Sequence, residues 1–113
     1  MNLGDKQRLF AKLVPRLIDK AYELGFEVTL GDAYRDARVF GGVGIKKGYG
    51  RRSSNHKVRL ALDLNLFKDG VYLTTTEDHR SLGIWWEQQH ELATWGGHFN
   101  DGNHYSFEHE GRR

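Results

Sequence analysis

Leu60-Ala61-Leu62-Asp63-Leu64-Asn65-Leu66-Phe67 is the stretch that decides the fold. Leucine recurs at every second position from Leu60 to Leu66, so a repeat of two puts the leucines on one face and Asp63 and Asn65 on the other. The pattern predicts a β-strand with one face in a core. Asp69-Gly70 follows as a tight hairpin turn, and Val71-Tyr72-Leu73 supplies the returning strand. Asp63 must then face water or a cation, because burying an ionised carboxylate without a partner is very costly.

Upstream, Leu9, Phe10, Leu13, Val14, Leu17, Ile18, Ala21 and Leu24 recur at helical spacing, and Gly25 is placed to stop the helix. Pro15 interrupts this pattern. A mid-helix proline removes one hydrogen bond and costs about 3 kcal/mol, which predicts a kink or a break there. Phe26 to Leu30 alternates as a strand and sets Arg35 near its end. Arg38 to Asn55 is rich in glycine and basic residues and reads as a long loop. Downstream, Glu77 and Asp78 open a helix that Leu82, Trp85, Trp86, Gln89, Leu92 and Ala93 carry to Thr94, before Gly96-Gly97. Residues 103–109 return as a final strand. The expected fold is α+β, one domain over residues 1–113: a small antiparallel sheet flanked by an N-terminal helix and a second helix near 77–94.

Basic residues number 17 and acidic residues 15, a formal net charge of +2. Much of the excess sits in Lys46, Lys47, Arg51 and Arg52 and in Arg112 and Arg113. Such a patch reads first as a solvated surface, with an anionic envelope polymer or nucleic acid as its functional alternative. Nucleic acid is disfavoured because no helix carries a basic stripe. The absence of cysteine excludes disulfides, thiolate metal sites and a cysteine nucleophile. No apolar run approaches the roughly 20 residues of a membrane-spanning helix. Met1 to Lys12 is amphipathic and charged, with no secretory pattern. The expectation is a monomer made in the cytoplasm, without membrane insertion.

The chain has six histidines. His79 and His90 fall among polar residues of the second helix and read as ordinary packing or surface positions. His56 closes the glycine-rich stretch, and Asp63 follows on the polar face of its strand. Asp101-Gly102-Asn103-His104 places a carboxylate three residues before a histidine. Two imidazoles and one carboxylate leave a fourth tetrahedral position for water, as in a catalytic zinc centre. A further carboxylate beside that water, for which Asp101 is the candidate, could take its proton. His109, next to Glu108, is a rival third ligand. Trp85, Trp86 and Trp95 read as packing residues. Ser54 lacks a nucleophile-elbow motif and reads as a hydrogen bond orienting the site.

Together these segments resemble the VanY-like zinc peptidases, the D-alanyl-D-alanine carboxypeptidase and L-alanyl-D-glutamate endopeptidase family that includes several phage endolysins. The likeness covers most of the chain. Ser54-Asn55-His56, with Ala61-Leu62-Asp63-Leu64, is similar to the family's Ser-x-His and Ala-x-Asp-Leu segments, which implies His56 and Asp63 as zinc ligands. Asp101-Gly102-Asn103-His104-Tyr105 is similar to its Asp/Glu-x-x-His-aromatic segment, which implies His104 as third ligand and Asp101 as base. Ala33-Tyr34-Arg35 resembles the Tyr-Arg motif, whose arginine contacts substrate carboxylate or the developing oxyanion. Arg35 and Ser54 are thus the expected substrate-side residues, and Trp95-Gly96-Gly97 precedes the active strand as in phage members. The resemblance implies a Zn2+ cofactor, a bacterial peptidoglycan peptide as substrate, and holin-type release to the cell wall.

Overall fold

The structure, a computed structural model, describes residues 1–36, 38, 42 and 54–113. Most of the expected 38–55 loop, including Lys46, Lys47, Arg51 and Arg52, lies outside the described residues.

Helix α1 spans Leu3–Glu23 and opens on a capping box between Asn2 and Asp5. No break occurs at Pro15: the helix runs through it. Pro15 and Ala11, whose carbonyl would have bonded to residue 15, are both exposed, so water can take the place of the lost bond. Phe10, Leu13, Leu17 and Ala21 form the buried stripe. Gly25, at φ 90°, turns the chain out of the helix.

The strands are β1 (Glu27–Leu30), β2 (Ala61–Lys68), β3 (Val71–Tyr72), β4 (Ala93–Trp95) and β5 (His104–Phe107); α2 is Arg80–Glu87. They form one antiparallel sheet in the order β1-β2-β5-β4, with β3 paired to the far end of β2. The β2-β3 turn is the expected one. Asp69 and Gly70 both have positive φ, 51° and 77°, as a type I′ turn requires.

Leu60, Leu62, Leu64 and Leu66 are buried with Tyr105, Phe107 and Trp95, and the inward residues of α1 and of α2 (Leu82 and Trp86) complete the same core. Each fully buried leucine contributes about 2 kcal/mol. Trp86 is fully buried, takes the Phe10 ring edge-on, and donates its indole N–H to the Ser106 carbonyl at 3.2 Å.

The second helix is shorter than the sequence predicts. A 3-10 turn, Glu77–His79, precedes α2, which stops at Glu87. Ala93, Thr94 and Trp95 instead pair with Phe107, Ser106 and Tyr105. Local periodicity loses here to tertiary pairing, which satisfies the backbone and buries the Trp95 ring. Gly83 makes that burial possible, since a Cβ there would collide with the indole of Trp95.

His79 is buried, with Nδ1 2.7 Å from the Tyr105 hydroxyl. Burial pushes the Tyr105 phenol up, so the hydroxyl keeps its proton and donates it to Nδ1. Burial also holds the His79 pKa down, from 6.5 to about 4. Above pH 6.5 the ring is neutral whether the chain is folded or not. As pH falls towards 4 the unfolded chain takes up a proton that the native chain refuses, so stability present above pH 6.5 is lost, by up to about 3 kcal/mol. Denaturant titrations at pH 7, 5.5 and 4.5 should show this loss, and His79→Gln, which keeps an acceptor for Tyr105, should flatten it.

Candidate metal centre

The β2-β5 register sets Asp63 directly opposite His104. Cross-strand partners share a face, and the leucine alternation makes it the face turned away from the core. Beyond β1 the chain continues beside Asp63: Gly31 donates its N–H to the Asp63 carbonyl at 2.8 Å, and Asp63 donates to the Asp32 carbonyl at 2.7 Å. Residues 31–35 therefore run past the polar face. The Ala33 carbonyl lies 2.8 Å from His56 Nδ1.

His56 sits in the 3-10 turn Asn55–Val58, whose cap Ser54 accepts the His56 N–H at 3.2 Å. With Nδ1–H held by Ala33, Nε2 points at Asp63 Oδ1, 3.1 Å away. A carbonyl on the far nitrogen is the usual device for orienting a metal-binding imidazole. His104 Nδ1 lies 3.6 Å from the same Asp63 oxygen and 3.9 Å from Asp101 Oδ2.

His56, Asp63 and His104 form a group that could hold a metal ion, with one ligand atom from each within 4.8 Å of the others. Metal–ligand bonds of 2.0–2.2 Å in a tetrahedron put neighbouring ligand atoms roughly 3.3–3.6 Å apart. The separations of 3.1 and 3.6 Å bracket that range. The donor chemistry fits as well: two nitrogens and one oxygen, all within 4.8 Å of one another. Burial alone would raise the Asp63 carboxyl, but the neighbouring His104 and His56 imidazoles outweigh it and hold the carboxyl well below the usual range. Asp63 is therefore ionised at neutral pH, as a metal ligand would have to be.

The turn before β5 is set by glycine. A Cβ on Gly96 would collide with the Asp101 carbonyl and lie 2.7 Å from the His104 Cβ. Asp101 N–H donates to the Gly96 carbonyl at 2.8 Å, and the Trp95 indole donates to the Gly102 carbonyl at 2.7 Å. This packing brings Asp101 and His104 to the mouth of one cavity of about 100 Å³, lined also by Arg35, Ser54, His56, Phe99 and Arg113. Asp101 borders a second cavity too, of about 200 Å³, lined by Thr74, Thr75, Thr76, Asn100 and Asn103 among others.

Arg35 and Ser54 meet at this site: Arg35 donates to Ser54 Oγ at 2.8 Å, and its Nε lies 3.5 Å from Asp32. The Arg35 N–H donates to the His56 carbonyl at 3.0 Å, so the arginine and the imidazole are positioned together. The rival ligand His109 is elsewhere, its Nδ1 accepting from Lys6 Nζ at 3.1 Å. Sequence reasoning missed the Ala33 carbonyl, Asn55, Phe99 and Arg113. A backbone carbonyl leaves no sequence signal. Glu110-Gly111, whose hairpin brings Arg113 back to the cavity, does leave one.

No family model matches this chain, and no curated protein matches it.

A divalent cation should raise the unfolding temperature of the metal-stripped protein. The expected gain is about 2.7 kcal/mol at a hundredfold excess over Kd. His104→Ala and His56→Ala should remove most of that gain, as read by thermal scans with and without the ion.

Proposed function

We propose that the chain is a zinc-dependent peptidase that hydrolyses an amide bond in peptidoglycan stem peptides, of the VanY-like kind. One observation carries this reading. Three side chains that could hold a metal ion, from separate segments, bring their ligand atoms within 4.8 Å of one another, and Asp101 and Arg35 open onto the adjoining cavity. The zinc assignment rests on a donor set of two imidazoles and one carboxylate and on three protein ligands leaving a position open.

Zinc held there would supply a Lewis acid for the scissile carbonyl and lower the pKa of water to roughly 7. The protein does the remaining work. Asp101 is half-exposed beside His104, where it can take a proton from water and deliver it to the leaving nitrogen. Arg35 stays charged and donates in a fixed fork, suited to a substrate carboxylate or a developing oxyanion. Ser54 holds that fork in place, and Ala33 holds the His56 tautomer. The threonine- and asparagine-lined cavity on the other side of Asp101 offers polar room for the rest of a peptide. The scissile bond is L-alanyl-D-glutamate or D-alanyl-D-alanine.

No helix among the described residues is long and apolar enough to cross a membrane. In this proposal the protein acts at the cell wall after holin-type release.

Metal analysis joined to hydrolysis of defined stem peptides tests the proposal. Wild type should carry zinc rather than iron, which takes a similar donor set. Asp101→Ala should keep its zinc and lose turnover by about 10²–10⁴-fold. Asp63→Ala should lose both. Full hydrolysis by a metal-free preparation would rule the mechanism out.

A further inference from the structure

His109 and Arg112 form a β-bridge, closed by two backbone hydrogen bonds of 2.8 and 2.9 Å. Glu110 and Gly111 between them have positive φ, 50° and 76°, so they make a tight two-residue turn. Asn55, fully buried and adjacent to the metal-binding residue His56, donates its amide to the Phe107 and Arg112 carbonyls at 2.7 and 2.9 Å. The small hairpin is thus tied to the wall of the site.

The hairpin delivers Arg113 to the same cavity as Arg35, Asp101, His56 and His104. Its guanidinium lies 5.8 Å from the centre of the Phe99 ring, and that ring packs edge-on against His104. Arg112 spends its charge on Glu110, at 3.7 Å. Among the described residues Arg113 forms no ion pair. Arg35 is already paired with Asp32 at 3.5 Å, so at the cavity wall Arg113 is the guanidinium set against the carboxylate of Asp101. A divalent ion beside Asp63 would make the cavity net positive. A cavity of that sign favours an anion, and a guanidinium matches a carboxylate in a bidentate fork.

We infer that Arg113 is a specificity-determining residue that binds a substrate carboxylate next to the scissile amide, jointly with Arg35. The inference rests on the peptidase proposal and names what its substrate must carry. A stem peptide with that carboxyl group free should be preferred over one with it amidated.

The test uses zinc-loaded full chain and two pairs of stem peptides. One pair differs only in a free or amidated α-carboxyl of D-glutamate, the other in a free or amidated terminal D-alanine. Hydrolysis is followed by KM and kcat, and binding by calorimetry in the Asp101→Ala background. Wild type should prefer the free carboxylate of one pair by about tenfold, the size of one charge-assisted contact. Arg113→Ala should bring that preference to about twofold or less, chiefly through KM and Kd, and Arg113→Lys should restore part of it. A preference unchanged in Arg113→Ala, or no preference or binding in either pair, overturns the inference. Hydrolysis with an Arg113-independent preference leaves the peptidase standing and removes this role. Arg113-dependent binding of the free carboxylate without hydrolysis does the reverse.

Discussion

The pairing of Asp63 with His104 across two antiparallel strands is the constraint on which the rest of the site depends. A strand has a repeat of two, so a slip of one residue would turn Asp63 into the core and a leucine onto the polar face. What forbids the slip is hydrophobic: Leu60, Leu62, Leu64 and Leu66 are all buried in the present register. At about 2 kcal/mol each, their burial outweighs any ladder hydrogen bond gained by shifting. The geometry of the candidate metal group is thus enforced from the opposite face of the sheet.

Around that pair His56 and the neighbouring polar groups are held by backbone rather than by side-chain packing alone. The chain leaving β1 passes Asp63, lends His56 its Ala33 carbonyl, and bonds the Arg35 N–H to the His56 carbonyl. Ser54 then joins the arginine to the imidazole's own turn. On the other side, Gly96 lets two turns approach closely enough to set Asp101 beside His104. Asn55 ties the C-terminal hairpin to the same turn as His56. The residues that orient the site are consequently spread over every segment that borders it, and several act through main-chain atoms.

The alternation around Asp63, the Asp69-Gly70 turn and the helical spacing before Gly25 were legible in the sequence because each is a local rule with a fixed period or dihedral. The same rules misled where a distant partner intervened. Helical spacing through Leu92 and Ala93 continued into residues that the sheet claims as β4, since pairing with β5 satisfies the backbone while the Gly102 carbonyl takes the Trp95 indole N–H. Pro15 promised a break, yet it lies on the exposed side of α1, where the lost bond can be hydrated.

The sequence by itself determined the class of fold and the donor types of the candidate site: an α+β domain, no thiolate, histidines and carboxylates at the ends of strands and turns. These follow from composition and from interactions a few residues in range. The sequence named His104 over His109 only through a resemblance; the tertiary structure is what brings His104 beside His56 and Asp63, and it alone decided which arginine returns to the cavity. That choice depends on strand register and on a hairpin tied down by Asn55, contacts between residues some fifty positions apart. No local pattern carries such information, because closing a long loop is decided by what its ends meet.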